Sequence, residues 1–99
     1  MFARASTLEV PPDQIDQALR NVQEQVLPLL QQQDGFKGFI VLTERQTGKA
    51  IGLSFWESEQ AMQDSEEAGN RTRSETAQAG GGTVVSVDRY EVALLEVLS

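Results

Sequence analysis

Between Phe36 and Met62 the spacing of the apolar residues changes once, and that change constrains the fold more than anything else in the chain. Val41, Leu42, Ile51, Leu53 and Phe55 give two short segments the β-branched and apolar character of strands. Gln46-Thr47-Gly48 lies between them as a hairpin turn, with Gly48 able to take a positive φ. From Trp56-Glu57-Ser58-Glu59 onward the period rises from two to about 3.6, so a helix starts directly after the tryptophan. Ser58 is its expected cap, and Glu57 and Glu59 sit where the helix dipole favours negative charge.

The flanking segments extend this core pattern. Phe2 to Val10 predicts a first strand, ended by Pro11-Pro12, with Asp13 as the cap of the next helix. Ile15, Ala18, Leu19, Val22, Val26, Leu29 and Leu30 form the apolar stripe of that helix, which ends at Asp34-Gly35. Pro28 inside it predicts a bend over residues 24–28. The second helix is expected over Ser58 to Ala68, interrupted at Gly69, with Asn70 capping a continuation over Arg71 to Ala79. Gly80-Gly81-Gly82 reads as a flexible joint. Thr83 to Val92 predicts the last strand, with Val85 and Val87 facing one way and Val84, Tyr90 and Val92 the other. The order strand, helix, strand, strand, helix, strand is the α+β, ferredoxin-like arrangement, expected as one domain over residues 1–99.

One face of such a sheet packs on its two helices and leaves the other bare. Strand two is apolar on both sides, with Phe39 and Val41 pointing one way and Ile40 and Leu42 the other. The end of the chain, Val92 to Leu98, is also too apolar for a free tail. Both features predict a homodimer packed sheet to sheet.

Composition removes several function classes. The chain has neither cysteine nor histidine, hence no thiolate nucleophile, no imidazole base and none of the commonest zinc ligands. Its net charge of −7 opposes binding to phosphate backbones, so no nucleic-acid partner is expected. No apolar run approaches the roughly 20 residues of a membrane span, and the N-terminus lacks an apolar leader. The expected setting is the cytoplasm, and no metal, haem or flavin cofactor is expected.

The chain resembles the antibiotic-biosynthesis-monooxygenase-like domains of the dimeric α+β barrel superfamily. The resemblance rests on Val26-Leu27-Pro28-Leu29-Leu30, Gly35-Phe36-Lys37-Gly38, Thr47-Gly48, Phe55-Trp56-Glu57-Ser58-Glu59 and Tyr90-Glu91-Val92. It implies a ferredoxin-like βαββαβ subunit forming a dimeric α+β barrel. The superfamily includes cofactor-free oxygenases and haem-degrading enzymes. The haem-degrading set resembles an asparagine in strand one with a tryptophan and a histidine on helix two, and this chain has Ser65 and Glu75 near the latter places. The lack of histidine removes the usual axial ligand, so haem degradation is not expected. The oxygenase branch implies a dry cavity lined by Trp56, with an asparagine where this chain has Gly52.

Ala50, Gly52 and Ser54 share a strand face with Trp56 and leave space for a flat ligand. Met62, about one and a half turns into the second helix, adds a flexible thioether. The expected ligand site is therefore Trp56, Ser54, Met62 and Gly52, with no catalytic residue identified. The expected guest is a small aromatic compound. Arg4, Arg71, Arg73 and Arg89 are the candidate anion donors, each otherwise a surface or ion-pair residue. Two functions follow: cofactor-independent oxidation of a small aromatic or polyketide-like compound, or a non-catalytic ligand-binding dimer of the same fold.

Overall fold

The central hairpin forms where its turn residues place it. In the computed structural model, which describes residues 1–98, β2 (Phe36–Glu44) and β3 (Lys49–Trp56) pair antiparallel, with Leu42 opposite Ile51 and Ile40 opposite Leu53. Gly48 has φ +83°, and a Cβ there would stand 1.8 Å from the Val10 carbonyl oxygen, so only glycine fits. The Val10 amide in turn donates to the Gly48 carbonyl at 2.9 Å, which ties the turn to the end of β1 (Phe2–Glu9). β4 (Thr83–Glu91) pairs with the other edge of β1, completing one antiparallel sheet in the order β2-β3-β1-β4. With both helical segments on one face, this is the ferredoxin-like α+β fold.

The first helix runs in three parts: α1 (Ile15–Asn21), a π-helical stretch (Val22–Val26) and α2 (Leu27–Gln31). The irregularity expected from Pro28 takes this form. Proline would crowd the carbonyl four residues back, and the widened turn, with Leu27 N–H donating to Val22 O, gives it room. Asp13 does not cap the helix; it lies in a 3₁₀ turn (Pro12–Gln14) with no side-chain capping bond. The second helix also departs from expectation. α3 (Glu59–Asp64) is capped by Ser58, whose hydroxyl accepts from Ala61 N–H at 3.1 Å, but the break falls at Ser65 rather than Gly69. α4 (Glu66–Gly80) runs unbroken through Gly69 and Asn70. Gly80 to Gly82 form a helix cap rather than a loose joint. Gly81 takes φ +68° and Gly82 N–H donates to Ala77 O at 2.7 Å.

Partners across a ladder share a face, so the register sorts the side chains. Phe2, Arg4, Ser6 and Leu8 lie opposite Trp56, Ser54, Gly52 and Ala50, and this set faces the helices. In β4 the expected division of the valines fails. The register slips between Thr7 and Leu8, so Val84 opposes Leu8 while Val87 opposes Ser6, and both fall on the helix face. Tyr90, opposite Ala3, points to the bare face with Ile40 and Leu42, and these three are 56%, 43% and 50% exposed. Beyond β4 the apolar segment packs little within the chain, leaving Leu94, Val97 and Leu98 almost fully exposed.

Val26, Leu30, Trp56 and Met62 form the buried core, with Phe2, Val22, Phe36, Phe39 and Ala61 packed against it. That core fills the Trp56 end of the sheet. Towards the hairpin end, the small residues of β3 leave the helices standing off the sheet.

Candidate functional site

The resulting space is a cavity of about 80 Å³ between the sheet and the first and last helices. Ala50, Gly52 and Ser54 form its floor on β3, and Phe39, Val41 and Thr43 its wall on β2. Leu19, Val22 and Val26 close the helix side. The lining residues that keep some exposure are Leu19 and Val22 on the first helix, Phe39, Val41 and Thr43 on β2, and Ala50 and Gly52 on β3, so the mouth opens between the β2 side of the sheet and the first helix. The lining is almost wholly apolar. Thr43 aside, its polar side chains lie on the side away from the mouth, where β1, β3 and α4 carry Arg4, Ser54, Thr72, Arg73 and Thr76.

The four residues expected at the site divide into two pairs. Gly52 and Ser54 line the cavity. Trp56 and Met62 do not; they are 0% and 4% exposed and belong to the core beside it. Trp56 is edge-on to Phe36, with ring centroids 5.4 Å apart. The two pairs are linked by one hydrogen bond, from Trp56 Nε1 to Ser54 Oγ at 2.8 Å. Because Ser54 Oγ accepts that bond, its own O–H proton remains available to a guest.

The guanidinium cluster is what the sequence conceals. Arg4 lies mid-strand in β1, yet it is only 2% exposed. Its Nη1 donates to Met62 O at 3.2 Å and to Ser65 Oγ at 2.9 Å, and pairs with Glu66 Oε1 at 3.2 Å. Its Cζ lies 5.4 Å from the centre of the Trp56 ring, a cation–π contact. Ser65 breaks the helix at this point, its Oγ donating back to Met62 O at 2.7 Å. Arg73 on α4 is 8% exposed; its Nη1 donates to Ser6 Oγ at 3.2 Å and its Nη2 to Asn70 Oδ1. Gly69 runs through the helix here because the guanidinia need the room. A Cβ on it would stand 2.7 Å from Arg4 Nη2 and 3.2 Å from Arg73 Nη1.

Charge in the cluster is unbalanced. Glu66 serves Arg4 and also Arg89, whose Nη2 reaches it at 2.6 Å. Arg73 has no carboxylate within ion-pair distance among the described residues. Burial lowers the pKa of Arg4, with Glu66 opposing; burial and then the Arg4 charge lower that of Arg73. The Glu66 carboxyl is held below its ordinary value, first by the Arg89 hydrogen bond. Of the four expected anion donors, Arg71 alone is neither buried nor ion-paired among the described residues. The positions compared with the haem-degrading set also diverge: Ser65 is buried within the cluster, and Glu75 is exposed on α4.

Among the described residues, no three acidic side chains converge as a metal site, and no helix is long and apolar enough to cross a membrane.

Comparison with known proteins fits this architecture. Two uncharacterised Mycobacterium tuberculosis proteins, Rv2557 and Rv2558, are each 35% identical over 95 residues, or 96% of this chain. The chain spans only about two fifths of their length, 42% and 40% respectively. Among solved structures, a haem degrader from M. tuberculosis, with two haems bound, superposes with a TM-score of 0.73 at 20% identity, covering 98% of this chain and all of that one. The monooxygenase of Streptomyces coelicolor gene ActVA-Orf6, bound to nanaomycin D, gives 0.67 at 17% identity over 97% of this chain and 92% of its own. A dimeric ferredoxin-like protein from an uncultured marine organism gives 0.70 at 11% identity, covering 99% of this chain and 100% of that one. These structures share the fold. The antibiotic biosynthesis monooxygenase family matches residues 1–73, including β1, both strands of the hairpin and the helix segment that carries Gly69 and Arg73, and the chain belongs to that family.

Proposed function

We propose that two copies of this chain pair through their bare sheet faces, and that each holds a small aromatic guest in the cavity between sheet and helices for cofactor-independent oxidation. The observation that carries this reading is the cavity itself, with apolar walls and its buried polar groups gathered at one end. In this reading Gly52 and Ser54 touch the guest, while Trp56 and Met62 fix Ser54 and the cavity end from behind. At about 80 Å³ the cavity is roughly half the ~150 Å³ that holds one benzene ring, so a single ring enters with its far edge in the mouth. Polycyclic compounds would need the first helix to move. The exposed Ile40, Leu42 and Tyr90 and the apolar tail support the pairing, as does the dimeric relative of the same fold.

Haem fits these residues poorly. The chain offers no histidine or cysteine as axial ligand, and its one tyrosine, Tyr90, lies on the opposite face of the sheet. A cavity of this size also cannot contain a macrocycle.

A second reading, a ligand-binding dimer without catalysis, is favoured by the cavity wall. Its ionisable residues are Arg4 and Arg73, neither able to act as a base, and Gly52 replaces the side chain that the oxygenase resemblance implies. Oxygen uptake separates the two. Purified protein with single-ring phenols and hydroquinones, and no added cofactor, is followed with an oxygen electrode alongside calorimetric binding. Binding with uptake supports oxidation, binding without uptake supports the second reading, and no binding removes the cavity from both.

A further inference from the structure

We infer that the guest of this cavity carries a carboxylate, held between Arg4 and Arg73 at the closed end; this rests on the cavity being a binding site. Both arginines line the cavity and are at least nine-tenths buried, at 2% and 8% exposure. Both flank Gly69, and the two distances from its Cβ position keep Arg4 Nη2 and Arg73 Nη1 no more than 5.9 Å apart. All the hydrogen bonds Arg4 makes to described residues leave from Nη1, so its Nη2, beside Gly69, has donors to spare. Arg73 spends its bonds on the neutral oxygens of Ser6 and Asn70.

Two guanidinia in a low-dielectric site repel one another, and the nearest carboxylate, Glu66, is already shared between Arg4 and Arg89. A guest anion would relieve that repulsion. A carboxylate offers two oxygens, and at about 2.8 Å from each donor it can bridge a gap of this width. A phenol is a poorer candidate. It arrives neutral, and the wall has no group to take its proton, whereas a carboxylic acid is already ionised at about pH 7. The apolar wall then selects a compact body of one ring or a short chain. The guest class is therefore a small apolar monocarboxylate.

Calorimetry on the full chain at about pH 7 tests this with benzoate, its neutral isostere benzamide, and phenol. Benzoate is expected to bind at least about tenfold more tightly than benzamide or phenol. Arg73→Gln should remove about tenfold of the benzoate affinity and less of the benzamide affinity, because benzamide accepts hydrogen bonds at the same place without the charge, so the benzoate-to-benzamide ratio should fall. If that variant does not fold, the benzoate-to-benzamide ratio of the parent protein decides. Benzamide or phenol binding within about threefold of benzoate overturns the carboxylate and leaves the cavity standing. Failure of all three to bind overturns both.

Discussion

Gly69→Ala is the substitution whose sign most clearly separates this structure from the plain expectation for a helix. In an exposed helix interior, replacing glycine by alanine gains about 1 kcal/mol. Gly69 is buried within α4, and the added Cβ would meet Arg4 Nη2 at 2.7 Å, Arg4 Cζ at 2.9 Å and Arg73 Nη1 at 3.2 Å. The Arg4 guanidinium cannot swing away freely, because it is packed against Trp56 and bonded to Met62 O, Ser65 Oγ and Glu66. A buried hydrogen bond to a charged group contributes about 1.5–3 kcal/mol, so losing one or two outweighs the helix gain. The net expectation is destabilisation of about 0.5–5 kcal/mol, or a melting temperature lowered by roughly 4–8 °C per kcal/mol. Urea unfolding followed by the fluorescence of Trp56, the single tryptophan, gives the value directly. Combining the change with Arg4→Met should make it neutral or stabilising, because the obstructing group is gone. A single variant as stable as the parent would refute the wedged guanidinium.

Leu42→Lys places a charge on the bare sheet face, on its β2 strand, and should weaken self-association at least about tenfold in sedimentation equilibrium without lowering monomer stability. Glu66 has a folded pKa below its unfolded value, so the stability it adds is present above about pH 4.3 and is lost as pH falls through the folded pKa. Stability measured between about pH 7 and pH 3 should therefore drop more for the parent than for Glu66→Gln, and equal slopes would contradict the pairing with Arg89 and Arg4. Gly52→Val, whose Cβ would lie 3.3 Å from Phe39 Cζ, fills the cavity floor and should abolish benzamide binding while the protein stays folded.

The fold was legible because its signals are local. The turn at Thr47-Gly48, the change of period at Trp56 and the stripe from Ile15 to Leu30 each fix an element through neighbouring residues. The small side chains of Ala50, Gly52 and Ser54 likewise announced a space above β3. The rest depends on contacts distant in sequence. α4 buries Thr72, Arg73 and Thr76 rather than large apolar residues, so hydropathy gives no sign of its inner face. Arg4 looks like a surface charge until Met62, Ser65 and Glu66 close over it from about sixty residues away. Gly69 reads as a breaker for the same reason, since its lack of a side chain answers a guanidinium on another element. The one available signal was an arginine alternating with Phe2, Ser6 and Leu8 on the inward side of β1.

The location of the guest is the central claim, and methyl NMR tests it most directly. Benzamide is titrated into isotopically labelled protein, and the methyl shifts are mapped onto the structure. The account predicts that Val22, Val26, Val41 and Ala50, which line the cavity, shift together along one saturating curve, while Ile40 and Leu42 on the bare face stay still. Saturable shifts confined to Ile40, Leu42 and the tail residues Leu94 and Val97, with the cavity methyls unmoved, would place the guest on the dimer face and contradict it.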